Sequence, residues 1–256
     1  MEITVLGAHN SEFRTSRHTC FLIDSRLALD GGGLTSSLSL EVLLEIKAVL
    51  LTHSHYDHIR DIPALAMNLA LNEGRTKLYS LRSVYEILSS HLLDGRIYPK
   101  FLELPAENPL IKFVEIEPGK AVEVESYKVL PLLVNHSVET VGFEVTSPEG
   151  KSFFYSGDTG PGLERCWHQI SPQLMFMDVT FPNHLKETAI QSGHLTPKLL
   201  KEELLTFLKL KGYLPRVVAV HLAPGFEDEI RLELEGVAED LGTPIELARE
   251  GAKFQV

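Results

Sequence analysis

Thr52-His53-Ser54-His55-Tyr56-Asp57-His58 places four metal-binding side chains within six consecutive positions. The apolar run Ala48-Val49-Leu50-Leu51 precedes it and reads as a strand. Ile59, Ile62, Leu65, Ala66, Leu69 and Ala70 follow at helical spacing, with Pro63 tolerable in a first turn. While the chain is still extended, His53 and His55 point the same way, because side chains alternate across a strand with period two. They can then grip one cation together. Asp57 and His58 fall where the backbone turns into the helix, so they face a second point close by. Imidazole nitrogens and a carboxylate suit zinc, iron or manganese rather than calcium or magnesium. A polar turn that merely happens to be rich in histidine is the plainer alternative. Three histidines and an aspartate in this spacing at a strand-to-helix junction outweigh it.

Upstream of this motif, Ile3–Leu6, Thr19–Asp24 and Arg26–Asp30 read as strands, and His9 and His18 as solvated histidines of the intervening loop. Asp30-Gly31-Gly32-Gly33 matches no phosphate-binding fingerprint. It reads as backbone passing close to a site, with Asp30 in a supporting hydrogen-bonding role. Leu38–Lys47 reads as a helix, as does Val84–Leu93. The Pro- and aromatic-bearing stretch Ile97–Pro109 reads as an ordered loop or a lid over the site. A second strand-rich block runs from Leu110 to Tyr155. Leu174–Asp178 and Val217–Val220 are further strands, alternating with helices over Leu185–Gln191, Pro197–Lys211 and Asp228–Leu241. Each half is thus a run of strands followed by strands alternating with helices. That pattern predicts an α+β fold of two packed sheets with helices outside, a four-layer αββα sandwich forming one domain over residues 1–256.

In layered α/β folds, sites gather at strand ends. Three further candidate ligands stand just after apolar strands: His136 after Val129–Asn135, Asp158 after Phe153–Gly157, and His221 after Val217–Val220. The series His53-x-His55-x-Asp57-His58, His136, Gly157-Asp158-Thr159 and His221 resembles the metal-ligand series of the metallo-β-lactamase superfamily across essentially the whole chain. The resemblance implies two divalent metal ions, zinc first, with manganese or iron as the other fits. It assigns His53, His55 and His136 to one ion, Asp57, His58 and His221 to the other, and Asp158 as the bridge. Two dications about 3.5–4 Å apart repel, and a bridging carboxylate screens them.

His55 stands where a flavodiiron oxidoreductase carries glutamate, and Asp158 where most true β-lactamases carry a cysteine or small residue. Redox chemistry and antibiotic hydrolysis are therefore disfavoured. Met177-Asp178-Val179-Thr180-Phe181-Pro182-Asn183 and Ser192-Gly193-His194-Leu195-Thr196-Pro197 resemble the phosphodiesterase branch, which includes the class II cyclic-nucleotide phosphodiesterases and the tRNA 3′-processing endonucleases. In that branch a histidine two residues before a threonine faces the scissile phosphate, which assigns catalytic roles to His194 and, as ligand and orienting group, to Asp57. Thr196 before Pro197 also reads as a helix N-cap with proline at the first helical position. The expected activity is hydrolysis of a cyclic nucleotide or other small phosphodiester. A tRNA 3′-endonuclease, an ester, lactone or thioester hydrolase, and a metal-binding protein without turnover are the alternatives.

Composition bounds this reading. The 256 residues can bury a large core, and 44% apolar with 23% charged residues is ordinary for a globular protein. A net charge of −11 disfavours nucleic acid as a partner. No apolar run approaches a membrane span, and Met1 leads directly into a strand, so a cytoplasmic location is expected. Cys20 and Cys166 read as buried thiols rather than ligands. The resemblance also makes a homodimer the expected assembly.

Overall fold

The computed structural model describes residues 1–256. In chain order, β1 (Glu2–Gly7), β2 (Cys20–Ile23), β3 (Leu27–Leu29), β4 (Ala48–Leu50), β5 (Thr76–Ser80) and β6 (Ile111–Glu115) build one sheet. The second takes β7 (Val122–Val124), β8 (Tyr127–Leu133), β9 (Val141–Thr146), β10 (Ser152–Tyr155), β11 (Leu174–Asp178), β12 (Arg216–Val220) and β13 (Ile245–Leu247). β14 (Lys253–Gln255) returns to the first sheet beside β1, giving seven strands in each.

Each sheet is antiparallel at one side and parallel at the other. β14-β1-β2-β3 pair antiparallel and β3-β4-β5-β6 parallel, while β7-β8-β9-β10 pair antiparallel and β10-β11-β12-β13 parallel. The inner parallel strands β4, β11 and β12 are buried on both faces apart from Arg216, as crossover helices require. Period-two alternation then sorts the residues of β10, β11 and β12 between two cores. Phe153, Tyr155, Leu174, Phe176, Val218 and Val220 face the other sheet. Phe154, Met175, Met177, Val217 and Ala219 face the outer helices. Phe21 and Phe254 of the first sheet meet Phe176 of the second at ring-centroid distances of 4.7 and 5.3 Å, so aromatic contacts pin the two sheets face to face.

Helices cover both outer faces. α1 (Leu34–Ser37), α2 (Leu40–Leu44), α3 (Tyr56–Ile59), α4 (Ile62–Leu71) and α5 (Arg82–Ile87) accompany the first sheet; α6 (Glu164–Trp167), α7 (Lys186–Ser192), α8 (Pro197–Lys211) and α9 (Glu227–Leu241) accompany the second. α4 buries Ile62, Leu65, Ala66 and Leu69, the face its periodicity predicts. α8 buries Leu200, Leu204 and Phe207 against Trp167. No helix is long and apolar enough to cross a membrane.

Three expectations are corrected. The helix expected over 38–47 is only Leu40–Leu44, because the separate turn of α1 consumes the residues before it. The helix expected over 84–93 starts at Arg82 and finishes as a π-helical turn over Leu88–Leu92. The stretch 97–109 is not a lid. Phe101 and Leu102 are buried, the Phe101 carbonyl accepts from Ile111 N, and the Leu110 carbonyl accepts from Thr76 N. Those bonds fix it at the amino ends of β5 and β6, whereas the histidine motif leaves the carboxyl end of β4.

Candidate metal centre

β8, β10, β11 and β12 run in the same direction, so the residues that follow them gather on one rim of the second sheet. The loop after β4 faces that rim from the first sheet: Val141 N donates to the Thr52 carbonyl. His53, His55, Asp57, His58, His136, Asp158 and His221 all converge there. One group of ligand atoms within 4.8 Å of one another comes from His53, His55, His136 and Asp158; a second comes from Asp57, His58, Asp158 and His221. β4 ends at Leu50, so His53 and His55 stand beyond the strand proper, yet their rings lie 4.7 Å apart.

Asp158 is the shared member and is almost fully buried. Its Oδ2 lies 3.6 Å from His53 Nε2, 3.8 Å from His136 Nε2 and 3.3 Å from His221 Nε2, and its Oδ1 lies 3.1 Å from His58 Nε2. Asp57 Oδ2 lies 3.2 Å from His221 Nε2 and 3.5 Å from His58 Nε2. His136 Nε2 is 3.1 Å from His55 Nδ1.

The far side of most rings is tied down. His58 Nδ1 donates to Asp30 Oδ2 at 2.7 Å, His136 Nδ1 to the Gly193 carbonyl at 2.9 Å, and His221 Nδ1 to Thr180 Oγ1 at 2.8 Å. His53 Nδ1 is 2.9 Å from Thr52 Oγ1. Each bond fixes the tautomer whose Nε2 lone pair points at the centre. Three of the converging buried atoms, His53 Nε2, His58 Nε2 and Asp158 Oδ1, have no hydrogen-bond partner. An unpartnered buried polar atom costs about 1–3 kcal/mol, so three in one place are a defect unless cations accept the lone pairs. The donor set therefore fits divalent metal ions, and without cysteine it fits ions that accept imidazole and carboxylate.

The electrostatics express the same crowding. Burial and the neighbouring His58 hold the His53 imidazole well below its ordinary value. For His58, burial opposes the charged form, but the Asp158, Asp30 and Asp57 carboxylates outweigh it and hold the ring well above the ordinary value. Burial would raise Asp57 and Asp158; the facing imidazoles, His58 for Asp57 and His221 for Asp158, hold both well below the carboxylate range.

His194 stands at the edge of the cluster, its ring stacked on His221 at 5.2 Å and 5.0 Å from His136. Its Nδ1 donates to Asp178 Oδ2 at 2.7 Å. Burial disfavours the imidazolium, yet the Asp178 carboxylate prevails and pushes His194 up to about 9. Asp178 also accepts from Thr159 N at 3.0 Å and from Thr180 Oγ1 at 2.7 Å. Since Thr180 Oγ1 in turn accepts from His221, one carboxylate orients both His194 and His221. Asp178, His194 and His221 also approach one another closely, but their facing atoms already bond to each other or to Thr180.

Asp30 has the supporting role expected of it, with Thr52, His58 and Tyr155 all donating to its buried carboxylate. Asp30 and His221 have φ of +59° and +62°, a backbone region that side-chain-bearing residues rarely occupy. Such strain persists only where surroundings over-determine it, as the tied-down side chains do here. Gly32 lets α3 approach: a Cβ there would run into the Asp57 carbonyl.

Thr196 is fully buried and its Oγ1 accepts from Leu199 N, so the N-cap reading holds. His9 is not solvated either: it is buried, with Nδ1 2.8 Å from Glu250 Oε1 and Nε2 3.2 Å from Glu227 Oε1. His18 is half-buried with an unpartnered Nδ1. The correction for His9 comes from partners distant in sequence. Cys20 and Cys166 are buried thiols outside the centre. Asp178, Thr180 and Tyr155 were not singled out by sequence reasoning. The available signal for Asp178 was an aspartate ending a buried apolar strand, the same feature that marks Asp158.

Comparison with known proteins agrees with this geometry. A family model described as a beta-lactamase superfamily domain matches residues 21–222. An uncharacterized protein of Mycobacterium leprae is 30% identical over 139 residues, 52% of this chain and 47% of that protein. The chain thus spans about half the length of its mycobacterial relatives. Ribonuclease Z of Ignicoccus hospitalis is 23% identical over 237 residues, covering 74% of each chain. Among solved structures, unliganded yeast PDE1 superposes with a TM-score of 0.87 at 18% identity, covering 100% of this chain and 99% of that one. The short form of human tRNase Z gives 0.69 at 18% identity, covering 100% and 99%. Divalent metal ions are implied by this fold family, and the chain belongs to the beta-lactamase superfamily and has the metallo-β-lactamase fold.

Proposed function

We propose that the chain is a dinuclear metal-dependent phosphodiesterase acting on a cyclic nucleotide or another small phosphodiester. In this reading His53, His55 and His136 hold one ion, Asp57, His58 and His221 hold the other, and Asp158 spans both, with zinc the first choice and manganese or iron compatible with the same donors. Divalent ions bound there would lower the pKa of a water molecule and offset negative charge on a phosphoryl group.

The protein's own contribution beyond the ligands is His194. Its Nδ1 is committed to Asp178, so Nε2 is free to carry a second proton, and the raised value keeps that proton in place at neutral pH. Nε2 can then donate to a leaving alkoxide oxygen, the group hardest to expel from a phosphodiester. Asp178 sets the ring's direction and favours the imidazolium. Asp57, the partly exposed carboxylate of the second ligand group, is placed to orient a nucleophile as well as to ligate.

This placement of His194, held by Asp178 and packed beside the ligand candidates His136 and His221, carries the proposal. The sequence relationship to ribonuclease Z leans the same way, since a nuclease cleaves phosphodiesters. The net charge of −11 favours a small substrate over a polyanion. The test is turnover by metal-reconstituted protein of bis(p-nitrophenyl) phosphate and cyclic AMP beside a panel of lactones and thioesters. Phosphodiester turnover with the carbonyl panel inert is the expected result. The reverse pattern replaces phosphorus with carbonyl carbon as the target.

A further inference from the structure

A cleft of about 280 Å³ adjoins the metal centre on the His136 side. The turn after β8 supplies Asn135 and Ser137, the loop after β10 supplies Pro161, and the end of α7 supplies Ile190 and Gln191. Ser137 Oγ lies 3.5 Å from His136 Nε2, the nitrogen that points at the centre, so the cleft and the centre share His136. We infer that this cleft is the subsite for the organic group of the substrate, and that it takes one neutral heterocyclic ring system of nucleobase size. The inference rests on the phosphodiesterase reading and names which part of the substrate is recognised, and where.

Four observations select that chemistry. First, the lining contains no lysine, arginine or carboxylate; His136, its one ionisable member, points its Nε2 at the metal centre. The phosphates of a polynucleotide strand would find no counter-charge there, although phosphate contacts dominate nucleic-acid affinity. Second, Ile190 is 46% exposed at the end of a helix, and Pro161 stands across from it. An apolar surface left open beside a polar centre is stabilised by covering it with a flat ring. Third, the rim offers hydrogen-bonding groups that read ring edges. Gln191 has no side-chain partner in the protein, Asn135 uses its Nδ2 on the Pro161 carbonyl and leaves Oδ1 free, and Ser137 is exposed. Fourth, the volume is just below the range of about 300–1,000 Å³ typical of sites for drug-sized ligands, which suits a single ring system.

The walls are rigid. Gly160 N donates to the Asn135 carbonyl at 2.6 Å, and His136 Nδ1 donates to the Gly193 carbonyl at 2.9 Å. Gly193 has φ +75°, and a Cβ there would lie 2.8 Å from His136 Cα. Glycine at that position lets α7 close against the His136 turn, which fixes the cleft relative to the metal ligands.

The experiment compares thymidine 5′-(p-nitrophenyl phosphate) with methyl p-nitrophenyl phosphate. These share a leaving group and differ in the nucleoside. Metal-loaded wild type, Gln191→Ala and Ile190→Asp are assayed, both positions being exposed on a short helix, with thermal unfolding as the check on folding. The expected result is that the ratio of kcat/KM for the thymidine ester to that for the methyl ester falls about tenfold in each variant. An unchanged ratio overturns the subsite. If wild type turns over neither ester, the phosphodiesterase reading has failed on its own, and the cleft is then judged by calorimetric binding of thymidine to the metal-loaded protein. Binding that weakens in both variants upholds the subsite. No binding by wild type, or equal binding by all three proteins, overturns it.

Discussion

At the residue scale, Asp30 shows how the centre depends on residues outside the ligand set. Its carboxylate accepts from His58 Nδ1 at 2.7 Å, from Tyr155 Oη at 2.8 Å and from Thr52 N at 2.8 Å, all within the buried interior. Asp30→Asn replaces an oxygen acceptor with a donor and turns the His58 ring toward the wrong tautomer. Removing such an outer partner lowers metal affinity by about 10- to 100-fold, read by competition with a chelator. Asp178→Asn acts instead on the proton at His194. A group that acts as an acid must be protonated, so the alkaline limb of kcat follows its pKa. With the carboxylate gone, that limb moves to lower pH, as read on protein held at saturating metal. The seven ligand candidates were legible because histidine and aspartate at strand ends form a pattern along the chain. Asp178 ends a strand in the same way and went unassigned, because its partner His194 becomes visible only when β11 and the turn before α8 meet.

At the scale of elements, the chain's local signals were most legible where a cap or a long period marked them. α8 runs over Pro197–Lys211 as its periodicity predicts, and Thr196 caps it by accepting from Leu199 N. Thr196→Ala therefore costs about 1 kcal/mol in chemical unfolding and leaves kcat close to wild type. A collapse of kcat with stability retained would return Thr196 to the active site. The stretch 97–109 is an ordered loop and not a lid; proline and aromatic residues mark an ordered segment without saying what it packs on. Burial of Phe101 and Leu102 and bonding to the amino ends of β5 and β6 decide that, and neither is a local property.

For the whole molecule, His9 ties distant parts of the chain together. It joins the loop after β1 to Glu227 at the start of α9 and to Glu250 before β14, and Glu250 also accepts from Arg17 N. Burial opposes the charged ring, but the two carboxylates outweigh it, and His9 is raised above its ordinary 6.5. A group raised on folding contributes stability that is fully present below its unfolded value and is lost as pH rises through the folded one. The stability difference between wild type and His9→Gln is thus largest below about pH 6.5 and shrinks on the alkaline side, as read by urea unfolding across pH. The αββα architecture was legible from strand and helix runs in each half. The return of β14 to the first sheet was not, because three short residues carry no signal of which sheet they join.

In the proposed mechanism Asp158 holds a two-metal centre whose proton donor is His194. The most direct measurement is metal stoichiometry beside turnover of cyclic AMP, whose alkoxide leaving group needs a proton, for wild type, His194→Ala and Asp158→Ala. The account predicts two ions and turnover in wild type, two ions with turnover reduced about 100-fold or more in His194→Ala, and loss of metal itself in Asp158→Ala. Full metal content in Asp158→Ala, or loss of metal in His194→Ala, would contradict it.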